Sequence, residues 1–190
     1  MRERHLWYEL DVQNGRPRHE LADRLQLRRA TEADVQAIGR LPEADSVPAL
    51  RRGLAVGHEL WVVTHRDGQP AFACWMHRGS TPVAAAADGW LELPPGVACL
   101  EDTVTAPELR GNGIAPAAWC AIADRIAAEG IRTLVMKIET GNSPSRRAVA
   151  KAGFREAAEM TLDRTGPLRR ASLTPRNGGV GPLLAARFRR

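Results

Sequence analysis

Two glycines and a proline, at positions 111, 113 and 116, fix where the longest apolar-striped segment of this chain becomes helical. Inside a helix a proline breaks a hydrogen bond, but in the first turn its missing N–H costs little. Pro116 therefore sets the helix start near Asn112, and Gly130 sets its end. Ile114, Ala118, Ile122 and Ile126 fall on one stripe, so the spacing predicts a helix over 111–129. Val97 to Thr105, just before it, reads as a strand, and Pro107 lies in the turn between. The first amides of a helix have no internal partners and carry a partial positive charge. Gly111 and Gly113 let the backbone turn tightly and let a ligand approach those nitrogens. Phosphate is the natural ligand for such a mouth, and Arg110 adds a fixed charge. Taken alone, a G-x-G is weak evidence and more readily reads as a helix cap that uses glycine.

The rest of the chain supplies strands and helices around this unit. His5 to Val12 and Leu25 to Thr31 read as strands. T-E-A-D at 31–34 resembles a capping box and opens a helix whose stripe is Ala33, Val35, Ile38 and Leu41. A second helix is expected from Val47 to Val56, ending near Gly57. Glu59 to Arg66 and Ala71 to His77 form a hairpin around Asp67-Gly68. Residues 79–96 read as a loop with a short strand at Trp90 to Leu93. Thr133 to Thr140 is a strand, Ser143 to Ala152 a short helix started by Ser143 and Pro144, and Phe154 to Asp163 a last long strand. After Thr165 the chain is rich in Arg, Gly and Pro and carries no readable pattern. The fold class is therefore α/β (α+β): a mixed, mostly antiparallel central sheet flanked by helices.

Composition narrows the function. No apolar run approaches the ~20 residues of a membrane span. The start, MRERHLWYELDV, is too charged for a signal peptide, so a cytoplasmic protein is expected. Cys74, Cys99 and Cys120 form no CxxC pair, which argues against a disulfide framework or a metal site. The sequence lacks G-x-G-x-x-G, since position 116 is Pro, and lacks G-x-x-x-x-G-K-[ST], so neither a dinucleotide fold nor a P-loop is indicated. Charge is uneven: residues 1–140 hold 16 basic and 19 acidic side chains, whereas 141–190 hold 11 and 3. The basic stretch attracts phosphate-bearing partners or is simply solvated.

R-G-N-G-I-A at 110–115 resembles the Q/R-x-x-G-x-G/A signature of the GNAT (general-control-related N-acetyltransferase) superfamily. N-S-P-S-R-R-A-V-A-K-A-G-F at 142–154 is similar to that family's second signature. The likeness covers residues 97–160 closely and 25–77 more loosely. On this reading 25–165 is the acyltransferase domain, 1–24 an N-terminal extension and 166–190 a basic C-terminal extension with room for a final strand. The resemblance implies a fold with two splayed parallel strands and an acyl-CoA donor, acetyl-CoA in the first instance. It places the CoA diphosphate on Arg110, Gly111, Asn112, Gly113, Ile114 and Ala115. It places pantetheine along Val104 and Thr105, with Asn142 touching the cofactor from the second strand.

Acyl transfer to an amine needs a base and benefits from an acid at the leaving thiolate. Glu101 and Asp102 are the carboxylates on the strand flanking the thioester, and alternation sends them to opposite faces. Strict parity groups Glu101 with Thr103 and Thr105, a bulge would reverse that, and Glu101 is slightly preferred as base. The family's usual Tyr acid corresponds to Val149, and the chain's only tyrosine is Tyr8. Ser145 is left as a donor to the thiolate, or else a helix-start hydroxyl. His77 is a further base candidate, and Trp90 a candidate pocket wall. The expected acceptor is a primary amine of a small molecule. Alternatives are a protein amine or aminoacyl-tRNA, or a non-catalytic acyl-CoA-binding module. Oligomeric state stays open, a homodimer included.

Overall fold

A computed structural model describes residues 2–14, 17–86, 88–163 and 170–188. Among these residues ten strands form: β1 (Arg2–Asp11), β2 (Leu25–Arg29), β3 (Glu59–His65), β4 (Pro70–Arg78), β5 (Ser80–Pro82), β6 (Trp90–Glu92), β7 (Val97–Thr105), β8 (Thr133–Glu139), β9 (Arg155–Asp163) and β10 (Arg170–Pro175). Five α-helices accompany them: α1 (Val35–Ile38), α2 (Val47–Ala55), α3 (Ile114–Ala127), α4 (Ser143–Lys151) and α5 (Gly181–Phe188). Eight strands make one sheet in the order β10-β9-β1-β8-β7-β4-β3-β2, and β5 and β6 pair as a separate hairpin. Every neighbouring pair in the large sheet is antiparallel except β7 and β8. The expected mixed, mostly antiparallel sheet with one parallel pair is what forms.

The sheet sorts side chains into two cores. On one face Leu6, Tyr8, Cys74, Leu100 and Met136 meet the α3 stripe, Val149 of α4 and Ala152 at its C-cap. On the other face Leu60, Val62, Ala73 and Trp75 lie under α1 and α2. Farther along that face Trp7, Cys99, Val135 and Met160 lie under the β5–β6 hairpin and α5. The helix striped by Ala33 to Leu41 is shorter than its pattern suggests. It opens as a 3-10 turn at Glu32–Asp34 and keeps α geometry only to Ile38. Asp34 accepts the Thr31 amide at 2.7 Å and is clamped by Arg28, which holds its carboxyl down to about 2.

Residues set apart in sequence as terminal extensions are woven into the sheet. β1 lies between β8 and β9, with His5 opposite Glu139 and Met160. Its run Leu6 to Leu10 is buried because the strand is covered on both faces. The Gly-rich tail, unreadable in sequence, continues as β10 on the edge of β9 and as α5. Glu9 is buried and accepts the Val180 amide at 2.7 Å, just before α5 begins. A Cβ on Gly181 would stand 2.2 Å from the Ala157 carbonyl, so only glycine lets α5 approach β9 this closely. Two of the basic side chains here are engaged: Arg176 pairs with Glu156 at 2.8 Å and with Glu159, and Arg146 donates to the Tyr8 hydroxyl at 3.1 Å.

Candidate active site

The strand–turn–helix unit forms as its glycines and proline require, with α3 starting at Ile114 rather than 111. Gly111 and Gly113 take φ of 82° and 76°, a region closed to most side chains, while a Cβ on either would meet nothing within 4 Å. The requirement is thus conformational, and the space beside both glycines is open to a ligand. The first helical bond runs from the Ala117 amide to the Gly113 carbonyl. Asn112 turns its amide and its side chain back onto the Leu109 carbonyl, at 3.4 and 3.3 Å. That leaves the amides of Gly111, Gly113, Ile114 and Ala115 as donors toward the solvent side of the mouth. Asn112, expected among the cofactor contacts, does not line the cleft beside this mouth.

That cleft has a volume of about 950 Å³ and arises from the sheet itself. β7 and β8 pair at only three positions, from Val97 opposite Thr133 to Cys99 opposite Val135. Beyond these the strands part, and residues 100–105 and 136–139 become facing walls. The α3 mouth closes one end, and Asn142, Ser145 and Arg147 border it from α4. Arg110 is held over the mouth, its Nε donating to the Thr105 carbonyl at 3.1 Å and its guanidinium 3.3 Å from Glu43. The Thr105 carbonyl is therefore already engaged. Asn142 caps α4 by accepting the Ser145 amide at 3.1 Å, which leaves its Nδ2 as the group free to face the cleft. These features fit a coenzyme A diphosphate and arm: unpartnered amides at a helix start, flanking cations, and a slot between strand edges.

A bulge decides the fate of the two carboxylates. Trp75 pairs with Glu101 and Ala73 with Val104, so Asp102 and Thr103 together oppose Cys74. Asp102 sits at φ 46°, one of two non-glycine residues in the left-handed region among those described. The bulge regroups the strand. Glu101 and Val104 share the face of Ala73 and Trp75, where strict alternation pairs Glu101 with Thr103 and Thr105.

Glu101 is buried and tied on several sides. Its Oε2 lies 2.5 Å from Lys137 Nζ, and its Oε1 accepts from the Thr81 hydroxyl and the Cys99 thiol, each at 3.2 Å. Burial pushes its carboxyl upward against the pull of Lys137. Asp102 is exposed at the cleft wall and has no such clamp. Its carboxyl is raised by desolvation first and then by the like charge of Asp45, with Lys137 opposing. Asp45 in turn accepts the Trp75 indole N–H at 2.8 Å. Val149 is fully buried in the α3-side core and offers no hydroxyl.

Beside this carboxylate pair, His58, Trp75, His77 and Trp90 pack ring against ring, with His58 and His77 centroids 4.8 Å apart. Burial, then His58, lowers His77 to about 4. Folded His77 therefore refuses a proton that the unfolded chain takes up below 6.5. The expected outcome is a loss of about 3 kcal/mol of stability as pH falls from 6.5 to 4. His77→Phe should flatten that part of a urea-unfolding pH series, whereas parallel curves for variant and wild type would contradict the assignment.

Four titratable cleft residues escape sequence reasoning: Lys137, His5, Glu43 and Glu139. Lys137 was findable, because starting parallel pairing at Val97 and Thr133 puts it directly across from Glu101. His5 and Glu43 carry no local signal.

The chain matches the model of the Acetyltransferase (GNAT) family over residues 40–154. No curated protein sequence matches it. Its structure is similar to a putative GNAT acetyltransferase from Novosphingobium aromaticivorans, at 17% identity and TM-score 0.59, covering 93% of this chain and 66% of that one. It is similar also to a GCN5-related N-acetyltransferase from Sphaerobacter thermophilus, at 12% identity and TM-score 0.59, covering 94% and 54%. A GNAT acetyltransferase from Colwellia psychrerythraea aligns at 16% identity and TM-score 0.57, covering 93% and 57%. The chain thus spans roughly half to two thirds of the length of these structures. No helix among the described residues is long and apolar enough to cross a membrane. With its glycine mouth, parted strands and matched segment in agreement, the chain belongs to the GNAT acetyltransferase family.

Proposed function

We propose that this protein is an acetyl-CoA-dependent N-acetyltransferase that passes an acetyl group directly to a primary amine of a small molecule. The observation that carries this reading is the row of unpartnered amides at Gly111, Gly113, Ile114 and Ala115, opening into the cleft where β7 leaves β8. Acetyl-CoA, when bound, supplies the activated acyl group. The chain's own part is mainly alignment, which can supply much of the rate. The mouth amides and Arg110 hold a diphosphate, and the β7 edge by Val104 and Thr105 orients the arm through the backbone groups that Arg110 leaves unengaged. The bulge leaves backbone groups at 102–103 outside the ladder, available to donate toward charge that develops at a carbonyl oxygen.

Asp102 is the proton acceptor in this reading. It is exposed at the cleft, its carboxyl is raised toward neutrality, and the Lys137 clamp removes Glu101 from the role. Ser145 borders the cleft and is the hydroxyl nearest in role to the absent tyrosine acid. The acceptor approaches from the face of Asp102, Asp45 and the Trp90 ring, where carboxylates and aromatic faces favour a cationic amine. A charged-tRNA acceptor is less favoured, since Arg146 and Arg176 of the basic stretch are held by Tyr8, Glu156 and Glu159. Three buried free cysteines suit a reducing, cytoplasmic setting.

The test is thiol release from acetyl-CoA against a panel of metabolite amines, peptides and charged tRNA. The expected result is release with one or a few cationic small amines. Release confined to peptides or tRNA would replace the acceptor class, and acetyl-CoA binding without release across the panel would favour a binding module.

A further inference from the structure

We propose that the Glu101–Lys137 ion pair is the end wall of the acyl pocket and limits the donor to short acyl chains. The inference rests on reading the cleft as a coenzyme A site. Parallel pairing stops at Cys99 and Val135, and two residues further along each strand stand Glu101 and Lys137. Where the backbone ladder has ended, these side chains bridge the two strands at 2.5 Å. Both line the cleft, so the pair forms the inner limit of the gap. From Thr105 to Glu101 the bulged strand matches only Phe72 to Trp75 of β4, an advance of about 10 Å at ~3.3 Å per residue. The α3 mouth lies beyond Thr105, so the path from the mouth to the pair is longer than this stretch and has room for an extended arm. An arm anchored at the α3 mouth and laid along β7 therefore brings its acyl end to this pair.

The wall is fixed from behind. Thr81 and Cys99 hold one Glu101 oxygen, and Lys137 Nζ also donates to the Pro82 carbonyl at 3.0 Å. The Trp7 ring lies 6.0 Å from the same ammonium. An acetyl group ends before these atoms, whereas added methylenes must displace groups whose partners are already in place. Parting a buried pair leaves a charge uncompensated, so the wall resists being pushed aside.

The experiment is calorimetric titration of CoA, acetyl-, butanoyl- and hexanoyl-CoA into the wild type and into Glu101→Ala/Lys137→Ala. For the wild type, hexanoyl-CoA should bind about tenfold or more weaker than acetyl-CoA; in the double variant that gap should close to within about threefold. Free CoA, which has no acyl group, is the reference for an intact mouth. Where the double alanine does not fold, Glu101→Gln/Lys137→Met keeps the volume, removes both charges and should shift the ratio the same way by about threefold. An unmoved chain-length ratio with CoA binding intact, or a wild type that binds hexanoyl-CoA as tightly as acetyl-CoA, overturns the proposal alone. A wild type that binds none of the four overturns the cofactor reading and this proposal together.

Discussion

Replacing Lys137 alone with alanine is expected to destabilise the fold by about 3–5 kcal/mol. Glu101 is 7% exposed, and its remaining neighbours are a hydroxyl and a thiol, neither of which balances a charge. The same substitution combined with Glu101→Gln should recover most of the loss, because a pair removed as a unit leaves nothing stranded. The loss in the single variant should also shrink as pH falls. Burial already raises the Glu101 carboxyl, and without Lys137 it takes up a proton more readily still. Urea unfolding of the wild type, single and double variants at two pH values measures all three effects. A double variant as unstable as the sum of its parts would show that the two side chains are not coupled.

Asp102→Asn is expected to cut turnover by about 10²- to 10⁴-fold while leaving acetyl-CoA affinity near the wild-type value. Asparagine tolerates the left-handed backbone at φ 46°, so the bulge should persist and the loss should report chemistry rather than folding. The pH profile carries the sign. The base works when deprotonated, so wild-type turnover should rise with pH through a value above the ordinary carboxylate range. Desolvation and Asp45 set that rise, and Asp45→Asn should move it to lower pH. A variant that keeps the rising limb would transfer the role elsewhere, His77 being the other base candidate.

What the sequence made legible was local. Gly111, Gly113 and Pro116 dictate their own backbone, so the α3 mouth was readable from a dozen residues. Asp67-Gly68 likewise announced the β3–β4 hairpin. What escaped depends on long-range register. The run Leu6–Leu10 marks a doubly covered strand, yet nothing in it says that its neighbours are 133–139 and 155–163. Strict alternation separated Glu101 from Val104, and only the extra residue at the bulge reunites them. Lys137 looked like an ordinary strand residue until the parallel register set it against Glu101. The tail glycines were opaque for a related reason. Gly179 and Gly181 answer to the Glu9 carboxylate and the Ala157 carbonyl, both distant in sequence.

In the proposed reading, backbone nitrogens at the start of α3 hold the diphosphate of an acyl-CoA. Amide chemical shifts followed by NMR during acetyl-CoA titration test it most directly. The largest shifts are expected at Gly111, Gly113, Ile114 and Ala115, with smaller ones along Val104 and Thr105. Saturable binding that leaves those four amides unmoved would contradict it.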